Sequence, residues 1–378
     1  MAADDEAVFE AVVFLDHFAD LPDPRQLIKV IYPLDEVLLL SLLAVLAGAE
    51  TFTDIARFGE AKLDLLRRFR PYESGTPPHD RLGEIFAALD AERFQQCFVA
   101  WVAGYVGVSA EVIAIDGKTS RRSYQKKGGA EPIHIVSAFA ARQRLVLGQI
   151  KVAEKSNEIV AIPKLLDMLV IEGAIITIDA MGCQRQIAQK VIEKKADYVL
   201  ALKGNQGTLR QDVEIFVDEQ NANNFKDTTV TRDHTVDGDH GRIETRRTTV
   251  IHDIDWLQKR HNWPGLKAVV MIESQRDTSS KSQTETRFYI TSLTDPASRL
   301  AAVVRQHWAI ENSLHWVMDM TFRDDECRIA AGHAPANFTT VKHMAHNLMR
   351  RATVKESMRL RRKVAAWDDE YLIQFIAA

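Results

Sequence analysis

The chain has 378 residues, of which 46% are hydrophobic and 26% charged. This composition is typical of a globular protein and excludes disordered and fibrous classes, and the length predicts roughly two to three domains. The formal net charge of −4 argues, by itself, against a polyanionic partner.

The net charge conceals a gradient along the chain. Residues 1–110 carry 9 Lys and Arg against 18 Asp and Glu, whereas residues 111–204 carry 15 against 10. Residues 205–299 carry 13 against 15, and residues 300–378 carry 11 against 9. Positive charge is therefore concentrated in the second segment, and the total does not exclude an enzyme that binds DNA there.

Cysteine usage and hydropathy predict the compartment. Cys97, Cys183 and Cys327 stand far apart without a Cys-x-x-Cys pair, which excludes a disulfide framework and a structural zinc module. The chain opens on acidic residues, unlike a signal peptide, and its longest apolar stretch, residues 37–49, is too short to span a bilayer. We expect a soluble cytoplasmic protein without a membrane partner.

Residues 1–108 predict a helical N-terminal domain. Apolar residues recur at helical spacing over 8–18, 34–47, 81–89 and 91–105. Short helices of this kind can include a helix-turn-helix. A helical packing domain is favoured, because no recognition helix stands out and the segment is acidic.

Residues 109–204 predict a mixed sheet. Strands are predicted at 112–115, 133–141, 145–152, 174–178 and 198–202, and helices at 159–170 and 183–195. Three early strands paired as a meander, followed by alternation of strand and helix, predict a sheet with helices on its faces.

The remainder divides into three predicted segments. Residues 205–293 form a β-rich insertion with short Thr- and Val-rich runs at 228–230, 245–251, 268–273 and 286–290. Residues 294–349 contain a long helix from about Ala297 to Met320. Residues 350–378 form a basic tail, in which Arg351, Lys355 and Arg359 would share one helical face.

Two aspartates, Asp116 and Asp179, each end a hydrophobic strand. The carboxyl end of a strand is where α/β folds hold ligands, and neighbouring strands would aim both carboxylates at one point. Carboxylates bind Mg²⁺, and a pair of such ions stabilises the attacking and leaving oxygens of phosphoryl transfer. Because Asp is also a common turn residue, the pair alone is weak evidence.

A third acid lies in the segment 305–316. On a helix, Trp308, Glu311, Asn312 and His315 share one face, with Arg305 one turn earlier. An acid in an otherwise apolar, Trp-rich helix needs a cation or a basic partner. Taken alone, the segment favours a structural pair of Glu311 with Arg305 or His315.

Basic residues cluster after Asp116. Within ten positions stand Lys118, Arg121, Arg122, Lys126 and Lys127, which would neutralise phosphates beside the carboxylates. A solvated loop explains the run equally well, and residues 240–247 are a second candidate. The chain has no Gly-x-x-x-x-Gly-Lys loop, so we expect no nucleotide cofactor.

Together the motifs resemble bacterial insertion-sequence transposases of the DDE type, in the branch that includes the H-repeat-associated proteins found beside Rhs elements. The resemblance covers nearly the whole chain. Its motifs lie at residues 32–34, 46–50, 114–118 (Ala-Ile-Asp-Gly-Lys), 154–158, 177–184 (Thr-Ile-Asp-Ala-Met-Gly-Cys-Gln), 202–206, 240–244 and 307–316.

The resemblance implies an α/β fold: an RNase H-like mixed-sheet catalytic core with a helical N-terminal domain and a β-rich insertion. It implies that Asp116, Asp179 and Glu311 are the catalytic acids and bind two Mg²⁺ ions, for which Mn²⁺ substitutes. Related transposases carry a Tyr, an Arg and a distal Lys around the Glu, where this chain has Val304, His307 and the region of Met318.

The implied activity is metal-dependent hydrolysis of a phosphodiester at each transposon end, followed by attack of the freed 3′-hydroxyl on target DNA. The implied partners are double-stranded DNA and a second copy in a homodimeric synaptic complex, near the nucleoid. The candidate DNA contacts are Lys118, Arg121, Arg122, Lys203, Asn205, Arg242, Arg305, Trp308, Asn312 and His315. A nuclease of the same fold that does not join strands, and a domesticated DNA-binding remnant, are the alternatives.

Overall fold

The structure is a computed structural model that describes residues 13–104, 106, 111–123, 132–152, 158–239, 242–278 and 281–377. Predictions made for Val8, Lys126, Lys127, Glu154–Asn157 and His240–Gly241 lie outside these residues. Within the described ranges, no helix has the length and apolar content needed to cross a membrane.

Helices form the N-terminal segment and cover the faces of a sheet. In chain order they are α1 (Leu34–Leu46), α2 (Phe52–Ala61), α3 (Leu63–Leu66), α4 (His79–Ala88), α5 (Ala91–Ala103), α6 (Glu158–Met168), α7 (Arg185–Glu193), α8 (Gly207–Ala222), α9 (Asp255–His261), α10 (Ala297–Ile310), α11 (Trp316–Met320), α12 (Ala334–Arg351), α13 (Met358–Trp367) and α14 (Asp369–Ile376). The helical N-terminal segment agrees with the prediction from apolar spacing.

The strands form one sheet. They are β1 (Val112–Thr119), β2 (His134–Ala140), β3 (Leu145–Val152), β4 (Ile175–Ile178), β5 (Asp197–Leu202), β6 (Val230–Asp239), β7 (Arg242–Ile251), β8 (Ala268–Thr278) and β9 (Ser282–Thr291). Their order is β3-β2-β1-β4-β5-β9-β8-β7-β6. The β1–β2 and β2–β3 pairs are antiparallel, whereas β1–β4 and β4–β5 are parallel.

The first five strands confirm the RNase H-like mixed sheet. Three strands form an antiparallel meander. Strand β4 then pairs in parallel with β1, and β5 in parallel with β4, after the crossover helices α6 and α7. Parallel pairing requires such crossovers, because the chain must return to the same end of the sheet before the next strand begins. The arrangement places the first acid on the central strand β1.

The β-rich segment extends the same sheet, because β9 pairs with β5. Its strands are 10 or 11 residues long, longer than the predicted runs. The inner halves of β7, β8 and β9 are buried, while the outer halves of β8 and β9 are largely exposed. Those halves carry no apolar alternation, so hydropathy could not reveal them. Helices α8 and α9 were also missed.

Helix α12 is the centre of the packing between the N-terminal helices and the sheet. It contacts α1, α4, α5 and the edge strand β3. The buried Asn347 accepts a hydrogen bond from the Val146 N–H (2.9 Å) and donates one to the Val146 carbonyl (2.8 Å). This amide satisfies backbone groups that an edge strand would otherwise leave unpaired.

The basic tail is a packed part of the fold. Helix α12 ends at Arg351 and α13 begins at Met358, so Arg351, Lys355 and Arg359 do not share one helical face, and that prediction was wrong. The guanidinium of Arg362 is buried and donates to the carbonyls of Val45 and Ala49, each at 3.1 Å, and to Thr321. Arg362 therefore has a structural role, whereas Lys355, Arg359 and Lys363 are exposed.

We expect Asn347→Ala to lower the free energy of unfolding by about 2–4 kcal/mol, because two buried backbone groups of Val146 lose their partners. Urea unfolding followed by circular dichroism measures the change. Gln189→Ala, on the exposed side of α7, is the matched amide control and should shift stability by less than about 0.5 kcal/mol. Equal effects of the two substitutions would contradict the structural role of Asn347.

Candidate active site

The parallel pairing of β1 with β4 brings the two aspartates together. Ile115 lies opposite Ile178, so Asp116, within β1, stands next to Asp179, which follows the last residue of β4. The prediction that the strand ends at Asp116 was wrong, because β1 continues to Thr119 in its pairing with β2. Side chains alternate between the faces of a strand, and the register places Asp116 and Asp179 on the same face. Thr177 lies on this face too, and its hydroxyl is 3.0 Å from Nδ1 of His307 on α10.

The third acid comes from the helix that crosses this face. Leu300, Val303 and Val304 are buried with residues of the sheet. The predicted helix from Ala297 to Met320 is present, but residues Glu311–His315 form a π turn within it. Such turns release backbone groups from the regular helical pattern and often mark functional sites. Here the Ser313 carbonyl lies 3.2 Å from Nε2 of the buried His346 on α12.

Asp116, Glu311 and His315 form a compact group. Nδ1 of His315 is 3.4 Å from Oδ2 of Asp116 and 3.4 Å from Oε2 of Glu311. One ligand atom from each of these residues lies within 4.8 Å of the other two. All three residues were named from the sequence, where His315 was predicted as a structural partner of Glu311 or as a DNA contact.

Asp179 lines the same cavity, of about 520 Å³, but stands outside this group. Its Oδ1 accepts hydrogen bonds from the backbone N–H groups of Met181 (3.0 Å) and Gly182 (3.3 Å). The turn that follows β4 therefore holds the carboxylate close to its own backbone. The side-chain amide of Asn205 donates to the Ala180 carbonyl at 2.6 Å and fixes that turn.

The electrostatics of the group follow from burial and like charge. Burial, and next the negative charge of Glu311, raise the pKa of Asp116 to about 8. A hydrogen bond with His315 is the main cause that holds the pKa of Glu311 below its usual value. Carboxylates this close cannot both ionise easily without a cation, which is the property expected of a cation-binding site.

The first basic cluster is partly engaged within the protein. Nζ of Lys118 lies 2.5 Å from Asp319, 3.4 Å from Asp325 and 3.9 Å from Asp324, and these carboxylates raise the pKa of Lys118 against the opposing effect of burial. A phosphate contact by Lys118 would have to compete with these carboxylates. Arg121 and Arg122 are exposed at the end of β1.

The other predicted DNA contacts fall into two groups. Lys203 and the half-exposed Trp308 line the cavity, and Asn312 is exposed on the π turn beside Glu311. Arg305 pairs with Asp237 on β6 at 2.6 Å, and Arg242 lies at the outer end of β7. The structure thus places Lys203, Trp308 and Asn312 near the acids, and Arg242 at the far end of its strand.

Sequence reasoning did not single out Arg210 and Arg287, which also line the cavity. The Arg287 guanidinium is 5.5 Å from the Trp308 ring, and that of Arg210 is 4.2 Å from the Phe288 ring. Both are isolated arginines in the sequence. Arg287 reaches the site because β9 pairs with β5, whereas Arg210 lies on α8 directly after β5 and donates to the Leu202 carbonyl. No local pattern marks either residue.

We expect Asp116→Asn to stabilise the metal-free protein increasingly as the pH rises from about 5 to 8. A carboxyl whose pKa is raised on folding gives the folded state more bound protons than the unfolded state, so the stability of the wild type falls over this range. Thermal unfolding in EDTA measures the difference, which should exceed about 1 kcal/mol at pH 8.

The matched variant is Glu311→Gln, which removes one of the charges that raise the pKa of Asp116. It should move the loss of stability to lower pH and make it smaller. A difference between Asp116→Asn and the wild type that stays constant from pH 5 to 8 would contradict the raised pKa.

Comparison with known proteins supplies the family. The family model for the transposase DDE domain matches residues 108–348, and the model of the DDE_Tnp_1-associated segment matches residues 15–102. The putative protein YbfL of Escherichia coli (strain K12) is 38% identical over 96% of this chain and 97% of its own length. The H repeat-associated putative transposase YhhI of the same strain is also 38% identical, with the same coverage.

Among solved structures, a piggyBac transposase synaptic complex with hairpin DNA matches with a TM-score of 0.42 and 10% identity, over 97% of this chain and 77% of the other. A likeness of this size carries no argument about function. The family model alone covers well over half of the chain, and the full-length relatives agree with it. The chain belongs to the DDE transposase family, in the group of H-repeat-associated proteins.

Proposed function

We propose that this transposase hydrolyses a phosphodiester bond at each end of its element and then joins the freed 3′-hydroxyl to target DNA. Asp116, Asp179 and Glu311 are its catalytic acids. The observation that supports this proposal is the convergence of the three carboxylates, from β1, the end of β4 and the π turn, on one cavity. The match to the transposase DDE domain supports this class of reaction, cleavage and joining of DNA strands.

The cofactors we propose are two Mg²⁺ ions, for which Mn²⁺ substitutes. The donors fit, because carboxylate oxygens are the ligands that Mg²⁺ prefers. Burial, and next the negative charge of Glu311, raise the pKa of Asp116, and a bound cation would offset both. Asp116 is next to Asp179 across the β1–β4 pair, and the charges of both Glu311 and Asp179 act on it, so it is the residue best placed to serve both ions. The three carboxylates would hold the ions, which would make the attacking water more acidic and stabilise the leaving oxygen.

The residues around the acids position them and the DNA. Backbone N–H groups orient Asp179, and Asn205 fixes the turn that carries it. Lys203 supplies positive charge on the cavity wall, where a phosphate would lie, whereas Arg287 is paired there with Glu285 at 2.8 Å. The exposed Trp308 presents an aromatic face on which an unpaired base can stack.

Double-stranded DNA, both element ends and target, is the partner that this chemistry requires. Synapsis of two ends calls for two active sites, so we propose a homodimer in the complex. A substrate of chromosomal DNA places the protein with the nucleoid in the cytoplasm. Relatives named as transposases support a DNA substrate.

We expect Asp116→Ala, Asp179→Ala and Glu311→Ala each to abolish strand cleavage, because each removes a carboxylate from the metal-binding set, while binding to element ends persists. Cleavage of labelled end DNA in Mg²⁺ and gel-shift binding measure the two properties. Asp167→Ala, an exposed acid near the end of α6 that pairs with Lys190, is the matched control and should cleave normally. If any of the three active-site variants still cleaves DNA, the residue replaced in it is not a catalytic acid.

A second assay separates transposition from simple nuclease activity. A pre-cleaved end with a free 3′-hydroxyl is incubated with target plasmid, and joined product is expected with the wild type. Cleavage without joining would identify a nuclease of the same fold, and binding without either would identify a domesticated remnant.

We expect Lys203→Ala and Arg122→Ala each to reduce the slope of log K against log salt concentration by about 1, as the loss of one phosphate contact does. Lys118→Met should instead change mainly the stability, since Lys118 is paired with Asp319 and Asp325. Lys164→Ala, on the exposed side of α6, is the control that should leave the slope unchanged. Unchanged slopes for both Lys203→Ala and Arg122→Ala would place the DNA elsewhere.

A further inference from the structure

His315 stands out because it is buried yet touches two of the acids. Its side chain is 10% exposed, and Nδ1 faces both Asp116 and Glu311 at 3.4 Å. The three acids of the proposed function do not account for a nitrogen donor in this place. The π turn carries both Glu311 and His315, so one local distortion of the helix sets the position of both donors.

The distances fit shared coordination. An ion with bonds of roughly 2.1 Å separates neighbouring ligand atoms by roughly 3 Å when they meet at right angles. The two contacts of 3.4 Å are close to this separation, and each exceeds the length of a strong charged hydrogen bond. The contacts of Nδ1 with the two carboxylate oxygens therefore match the spacing of neighbouring ligand atoms around a small cation.

The surroundings of the second ring nitrogen, Nε2 of His315, also agree with a role for His315 as a metal ligand. Nε2 of His315 is buried without a hydrogen-bond partner among the described residues, and so is Nδ1 of His343 on α12. The two rings are close enough for His315 to be one of the groups that lower the pKa of His343, after burial and the charge of His346. A metal-binding histidine normally donates its second N–H to an acceptor behind it, and Nδ1 of a neutral His343 can accept.

We propose that His315 is a metal ligand, and that Nδ1 of His315, Asp116 and Glu311 form a site of two carboxylates and one imidazole. The inference rests on the proposed function and deepens it. Asp179, held by its own turn outside this group, then serves the second ion together with Asp116.

The nitrogen donor has a consequence for metal choice. Sites made only of carboxylates and water suit Mg²⁺, whereas an imidazole adds affinity for first-row transition metals. The site should therefore bind Mn²⁺ more tightly, relative to Mg²⁺, than it would without His315. This preference for Mn²⁺ is a property of the protein alone, so it can be measured without DNA and without catalysis.

The test uses the full chain, stripped with EDTA and loaded with Mn²⁺ alone. Pulsed electron paramagnetic resonance should detect a histidine nitrogen coupled to the bound ion, and ¹⁵N-histidine labelling should change that coupling. In His315→Gln the coupling should disappear, and calorimetry should show Mn²⁺ affinity lower by roughly tenfold or more, with a smaller loss for Mg²⁺.

The matched control is His307→Gln, which removes another imidazole of the same cavity, one whose Nδ1 is engaged by Thr177. It should keep the coupling. Absence of nitrogen coupling in the wild type, or its persistence in His315→Gln, would overturn the proposal. If His315→Gln does not fold, the nitrogen coupling measured in the ¹⁵N-histidine-labelled wild type still tests the proposal.

The outcome is separable from that of the proposed function. Cleavage that survives in Asp116→Ala or Asp179→Ala would reject the catalytic assignment, whereas the nitrogen coupling would still report on His315. Loss of cleavage in those variants, together with no nitrogen coupling in the wild type, would reject His315 alone.

Discussion

Mutual repulsion of neighbouring carboxylates is the constraint on which the rest of the structure depends. Asp116 lies within β1, Asp179 directly follows the parallel strand β4, and Glu311 faces them from a helix. Burial and like charge raise the pKa of Asp116, so this arrangement costs free energy in the absence of a cation. Such a site persists only where the surrounding packing fixes each backbone segment independently of the acids.

Two buried polar networks supply that fixation. Lys342 on α12 pairs with the buried Asp324 at 2.9 Å, and its charge, with that of Lys118, keeps the pKa of Asp324 low although burial opposes this. The loop after α11 is thereby tied to both α12 and β1. Arg362 joins the carbonyl ends of α1 and α11, which locks the N-terminal helices to the helix that carries Glu311. A buried network of this kind is strongly destabilised when one member is removed.

Burial, and contacts between distant segments, explain which sequence predictions agreed with the structure. Strands β1 to β5 are marked by continuous apolar runs, because both faces of this part of the sheet are covered. The outer halves of β6 to β9 have no such marker, and the tail appeared to be a charged surface helix. Arg362 shows why: its charge is visible in the sequence, whereas the three carbonyls that surround it come from distant segments.

The sequence by itself determined the family, the mixed sheet and the identity of the candidate acids, because apolar runs that end in Asp and ordered motifs are local properties. Only the tertiary structure decided how the donors group. It separated Asp179 from the set of Asp116, Glu311 and His315, engaged Lys118 with three carboxylates, and brought Arg287 to the cavity. These outcomes depend on strand register, the π turn and pairing between residues far apart in the chain, and no local pattern encodes a distance of that kind.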